Sequence, residues 1–205
     1  MPRQTKYLLS FIIGGLFLKE SLKLAELYAR EGCWNRVQTL AEETNLFQVR
    51  TKAAHRRIYR EVHKRVVVLS REERELLLRG RNVEVRAILW LGVCRTYDFI
   101  GDFAREILQE QVLNRSMFLP REEYRRFFEA KAATREKLAG LAASSQTKIE
   151  QVLFRMLREA GWIDTKGTVQ LLLLTPSLVA LFRSGNPREL AFFPLSPGEI
   201  RRCLA

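Results

Sequence analysis

Metal ligands of the soft kind are nearly absent from this 205-residue sequence, which holds two histidines and three cysteines. Cys33, Cys94 and Cys203 lie far apart, without a CxxC pair or a nearby His, so a zinc site is not expected. Scattered, odd-numbered thiols fit a reduced compartment in which they serve as small packing groups. Burial is expected for Cys94, within an apolar run, and for Cys33, beside Trp34. His55 and His63 stand two helical turns apart and share no adjacent cysteine or carboxylate.

Long apolar runs are also missing. The longest, Leu8 to Leu18, is interrupted by Ser10, Gly14 and Gly15, whereas a membrane span needs roughly 20 apolar residues. No Ala-x-Ala-like cleavage site follows it, and an amphipathic pattern does, so a soluble cytoplasmic protein without membrane insertion is expected. Gly14-Gly15 lacks the Lys-Ser/Thr of a phosphate loop, and Ser144-Ser145 has no histidine partner. Asp98, Asp102, Glu106 and Glu110 form an acidic stripe at four-residue spacing, but no His joins them. Like charges at that spacing repel, so basic residues from elsewhere in the fold, or a partner, are expected to face the stripe. With no catalytic constellation, no metal set and no cofactor motif, the sequence does not read as an enzyme and implies no small-molecule substrate.

What is abundant is positive charge. Lys and Arg total 35 against 23 Asp and Glu, a net charge of +12, with pI ≈ 10.1. Such a balance favours a polyanionic partner. Residues 1–66 hold 13 basic and 6 acidic residues, residues 67–143 hold 14 and 12, and residues 144–205 hold 8 and 5. The excess is therefore concentrated at the N-terminal end, on a body that is nearly balanced.

Periodicity predicts a mainly α, multi-helical chain. "LFLKESLKLAELYAREG" is amphipathic and stops at Gly32, and a shorter helix starts at Trp34. Ser70 and Glu73 have the spacing of a capping box, with Gly80 as the stop. The middle region, through "NVEVRAILWLGVCRTYDFIGDFAREILQEQVL" and the helix begun near Pro120, shows no strand-like alternation. "SSQTKIEQVLFRMLREAG" is an amphipathic helix, and "WIDTKGTVQLLLL" has the form of a small β-hairpin around Asp-Thr-Lys-Gly. The expected organisation is an N-terminal helix-turn-helix region (1–68), a helical body (69–143) and a C-terminal winged-helix-like region (144–205), together one compact unit.

The segment "NLFQVRTKAAHRRIYREVHKR", residues 45–65, carries seven of the Lys and Arg residues and one acid, Glu61. On a helical wheel, Ala54, Ile58, Val62 and Val66 fall on one side, with His55 and Tyr59 beside them. Lys52, Arg56, Arg57, Arg60, His63 and Lys64 occupy the opposite arc, with Ala53 among them. A solvated helix normally mixes signs to gain i,i+4 pairs. Here Arg56, Arg60 and Lys64 repel in series, and Arg57–Glu61 is the one expected compensation. The preceding short helix and "TNLFQ" connection give the order of a helix-turn-helix, whose second helix enters the major groove. The arc therefore suggests double-stranded DNA, with docking onto an acidic protein, RNA binding or a plain solvated face as the alternatives. Thr147, Lys148, Gln151, Arg155 and Arg158 form a weaker polar face on the C-terminal helix, and Lys166 would sit at the wing tip. Gln and Arg there are suitable donors to base edges or phosphates.

The order of several of these pieces resembles the BrxA family of bacteriophage exclusion (BREX) phage-defence systems. The resemblance rests on Gly14-Gly15 followed by Glu20-Ser21, Trp34, "NLFQVRT" leading into "RRIYREV", "LWLGVCRTYDFIGDF", the Phe128 to Lys131 spacing, "QVLFRMLREAG" and Phe193-Pro194. It implies a mostly helical protein with helix-turn-helix elements, double-stranded DNA binding, other BREX proteins as partners, and no catalytic motif to carry over. Members of that family have also been assigned to the inner membrane, which the short apolar runs of this chain oppose.

Overall fold

A computed structural model describes residues 7–205. The described residues form twelve α-helices and no β-strand, and they divide into two compact units. One is Leu16–Thr96; the other joins residues 7–15 to Tyr97–Ala205. These boundaries differ from the three regions suggested by composition, because the helices of residues 71–79 and 82–96 pack with those before them.

The first unit holds α1 (Leu18–Glu31), α2 (Trp34–Glu43), α3 (Lys52–Val67), α4 (Arg71–Arg79) and α5 (Asn82–Thr96). α5 is apolar almost all round, with Ala87 to Cys94 buried without a break, as a central helix must be. α1, α3 and α4 cover it. Gly92 permits a close approach: a Cβ there would lie 2.5 Å from the carbonyl oxygen of Arg65 on α3. Thr96 donates to the Lys64 carbonyl at 3.2 Å and Arg95 to the Val68 carbonyl at 3.1 Å, so α5 satisfies carbonyls at the end of α3. The Ser70–Glu73 capping box forms in both directions, and Arg95 clamps Glu73 with two bonds of 2.6 and 2.7 Å. Gly32 ends α1 at φ +66°, the left-handed conformation expected of that stop.

The second unit contains α6 (Asp98–Phe103), α7 (Gln109–Leu113), α8 (Arg121–Ala132), α9 (Glu136–Ala139), α10 (Ala143–Ala160), α11 (Pro176–Ser184) and α12 (Pro197–Leu204). A π-helical stretch, Ala104–Leu108, links α6 to α7. Its core is aromatic: Phe99 meets Tyr7, Phe11, Phe127 and Phe128, while Phe103 meets Tyr124, Phe127 and Phe154. The middle of the acidic stripe is faced by a basic residue from elsewhere: Lys131 sits 2.6 Å from Glu106 and 3.7 Å from Asp102, and Arg105 and Tyr7 also bond Asp102.

The expected β-hairpin does not form as two strands. A tight turn closes on the Asp164 carboxylate, which accepts from the Lys166 and Thr168 amides, and one antiparallel bridge joins Ile163 to Val169. Asp164 donates to Thr168 and Gln170 to Trp162 across the turn, while the outward amide of Val169 meets Met117 and, further on, Leu172 donates to Pro194. Leu172 and Leu174 are buried while Leu171 and Leu173 are exposed, so "LLLL" is an extended run with one face inward, without a strand partner of its own.

Candidate nucleic-acid interface

The connection between α2 and α3 is built, not loose. After the C-cap Thr44, Asn45 takes a left-handed conformation (φ +46°), its amide meets the Glu42 carbonyl, and Leu46 reaches back to the Ala41 carbonyl at 3.0 Å. This is a Schellman arrangement with Asn in the glycine position. The Asn45 side chain then bridges forward to both backbone groups of Val49. Phe47 is buried and stacks on His55 at 4.9 Å, and Thr51 caps α3 by accepting from the Ala54 amide at 3.1 Å. Residues 44–51 thus span eight positions, longer than the three to four of a standard helix-turn-helix turn.

On α3 the wheel and the structure agree for most of the arc. Lys52, Ala53, Arg56, Arg57 and Arg60 are exposed along one side. Lys52, Arg57 and Arg60 make no ion pair among the described residues. Arg56 is different: Glu42 on α2 accepts from its Nε at 3.0 Å and its Nη2 at 2.6 Å. That hydrogen bond holds the Glu42 carboxyl below its ordinary range and raises the Arg56 guanidinium above its own.

Two expectations about this helix require correction. Glu61 does not compensate Arg57; it is buried and pairs with Lys64 at 3.0 Å and with Arg65 at 4.0 Å. His63 does not stand with the exposed basic arc. It is half-buried between Trp34, edge-on at 4.6 Å, and Tyr59, stacked at 5.5 Å, and burial depresses its proton affinity. Tyr28 stacks on Trp34 at 4.0 Å and carries Arg74 at 5.0 Å, so rings from α1, α2 and α3 form one stack that uses His63 as packing. Sequence reasoning also passed over Arg50, exposed just before the α3 cap; its proximity to Thr51 was the available signal.

On α10, Thr147, Lys148, Gln151, Arg155 and Arg158 are all exposed, and Lys166 is exposed in the turn that follows. The Thr147 hydroxyl is spent on the Ala143 carbonyl. These residues lie in the second unit and α3 in the first.

Cys94 is buried as expected, but Cys33 is exposed. It is the N-cap of α2 with an extended backbone, and the Arg36 and Asn35 amides hold its thiol below the ordinary range. No helix among the described residues is long and apolar enough to cross a membrane, and no group of three or more His, Cys, Asp or Glu among them could hold a metal ion.

Residues 5–186 match the BrxA family over most of the chain. The chain belongs to the BrxA family. A "BREX protein BrxA" from Bacillus cereus (strain H3081.97) is 28% identical over 130 residues, 63% of this chain and 65% of that relative. The chain thus matches somewhat less than two thirds of that relative's length. The crystal structure of an uncharacterized protein from Magnetospirillum magneticum has the same fold, with a TM-score of 0.79 at 17% identity, over 93% of this chain and 99% of the other.

Proposed function

We propose that this BrxA-family protein is a non-enzymatic, double-stranded DNA-binding accessory protein of a BREX anti-phage system, acting in the cytoplasm. Family membership and the name of the Bacillus cereus relative support the placement in BREX defence. A single observation carries the DNA reading: Arg57 and Arg60 project from one side of α3 without an ion pair among the described residues, and Lys52 is exposed on the same side. A helix of sixteen residues is about 24 Å long, enough to lie along a major groove. Arginine forks suit phosphates and guanine edges, and Ala53 leaves the backbone accessible.

In this reading, α2, the eight-residue connection and α3 act as a helix-turn-helix variant, with α3 as the groove helix and Lys64 at its flank. The exposed face of α10, with Lys166 in the following turn, is a second contact in the manner of a winged helix. Other BREX proteins are the partners that family membership suggests. Mobility-shift titration with duplex DNA and duplex RNA of one sequence tests the reading. Tighter binding of the DNA is expected; equal or tighter binding of RNA supports the RNA alternative. Binding of neither duplex at low salt would leave α3 as a docking face for an acidic protein partner.

A further inference from the structure

Between α2 and α3 lies a groove of about 260 Å³ walled by three i,i+4 pairs: Gln38 and Glu42 on α2, and His55 and Tyr59, then Arg56 and Arg60, on α3. Its deepest polar group is His55, only 3% exposed, whose two ring nitrogens have no hydrogen-bond partner. The Ala41 carbonyl is near enough to favour the ring's protonated form, yet it completes no bond. Buried polar side chains are nearly always satisfied, and an orphan in a groove wall marks a place for a ligand atom. The cavity falls at or below the small end of ligand pockets, which run from about 300 Å³. That suits a small group rather than a whole cofactor.

We propose that this groove binds a single phosphate group, with Arg56 and Arg60 as its forks and His55 as the buried donor. The charges decide the ligand's sign. With His55 neutral, two guanidiniums face one carboxylate, and Glu42 is already engaged by Arg56, so a net positive charge awaits an anion. Tyr59 adds a hydroxyl whose ionisation burial pushes up to about 12, so it remains a donor. The source of the phosphate is either a DNA backbone contacted by α3, in which case the inference rests on the DNA reading, or a free phosphorylated compound.

Proton uptake follows from the geometry. Burial holds His55 below its ordinary range, with Glu42 opposing that shift. A phosphate against the ring favours the charged form and raises its proton affinity. The groups facing His55 are Glu42 and Gln38 from α2, Phe47 from the connection, and Arg56, Tyr59 and Arg60 from α3; His55 is the one imidazole among them, the side-chain type whose charge changes between about pH 5 and 8. Since the complex binds the proton more tightly than the free protein does, affinity rises as pH falls through that window.

The test uses the full chain as wild type, His55→Gln, His63→Gln and Arg60→Gln. Inorganic phosphate is added at pH 7.5 while the histidine ring signals are followed by NMR. Duplex DNA affinity is measured at one salt concentration, at pH 6 and pH 8. Phosphate is expected to move the His55 signals and leave those of His63 in place, with a weaker response in Arg60→Gln, an exposed position that leaves the core intact. Wild type and His63→Gln are expected to bind duplex DNA at least about threefold more tightly at pH 6 than at pH 8, and His55→Gln to lose that difference. If phosphate moves His55 but DNA binds at neither pH, or binds independently of pH, the groove stands with a free phosphate compound as its ligand. If phosphate leaves His55 unmoved, the groove proposal is overturned, and DNA binding that persists at both pH values leaves the DNA reading intact.

Discussion

Glu42 grips Arg56 across the eight-residue connection, at 3.0 Å to Nε and 2.6 Å to Nη2. The pair does two things at once. It fixes α2 against α3, and it places one negative charge at the edge of an otherwise positive arc. Removing that charge while keeping the shape, as in Glu42→Gln, should free Arg56 for phosphate. Duplex DNA affinity is expected to rise a few-fold at low salt, with the salt slope steeper by up to about one contact, near −0.9. Filter binding across a salt series checks this; a variant that binds more weakly would show that Glu42 serves chiefly to orient α3.

The cap of α3 offers a test of how that helix is held. Thr51 accepts from the Ala54 amide and has no other role in the core. Thr51→Ala is expected to cost about 1 kcal/mol of stability, the usual value for an N-cap. Chemical denaturation measures it directly, and an unchanged midpoint would mean that packing of Phe47 on His55 positions the helix start instead.

Cysteine reactivity should separate the three thiols. Cys33 is exposed with its thiol shifted toward the thiolate, whereas Cys94 and Cys203 are buried and burial pushes Cys203 up. Alkylation of the native protein with iodoacetamide is expected to label Cys33 alone, with the other two reacting only in denaturant. Mass spectrometry of the digested protein reads the result, and native labelling of Cys94 would mean that the α5 core opens readily.

How much of this was legible in the sequence depended on distance along the chain. The Ser70–Glu73 capping box and the stop at Gly32 are local, and they formed as read. The exposed arc of α3 followed from a period of 3.6 and also held for Lys52, Arg56, Arg57 and Arg60. His63 failed the same wheel, because Trp34, 29 positions earlier, supplies a ring for it to pack on. The Glu42–Arg56 pair was hidden for a similar reason, being formed across a turn whose course depends on Asn45 in a left-handed conformation. The hairpin is cut short: Asp164 to Thr168 and Gln170 to Trp162 bond across the turn, and from Leu172 onward the second arm pairs with Pro194, which lies far along the chain. Periodicity reports which face of a helix is polar; it does not report which neighbour claims a side chain at the border.

The α10 face can be separated from the α3 arc by parallel charge changes. Arg155→Glu/Arg158→Glu alters two exposed residues without ion pairs among the described residues. If α10 is a second contact, DNA affinity should fall, but less than for the equivalent change on α3, and thermal stability should not change. Equal affinity to wild type would confine binding to α3.

The most direct test is the salt dependence of duplex DNA affinity in wild type and in Arg57→Glu/Arg60→Glu. These positions suit the purpose better than Arg56, whose reversal would also set two carboxylates against each other at Glu42. Counterion release makes log K fall linearly with log salt, at a slope near −0.9 for each phosphate engaged. The account predicts a steep negative slope for wild type, and for the double variant a slope shallower by about two contacts with affinity lowered at least about tenfold at low salt. Wild type binding no more tightly than the double variant, at the same slope, would contradict it.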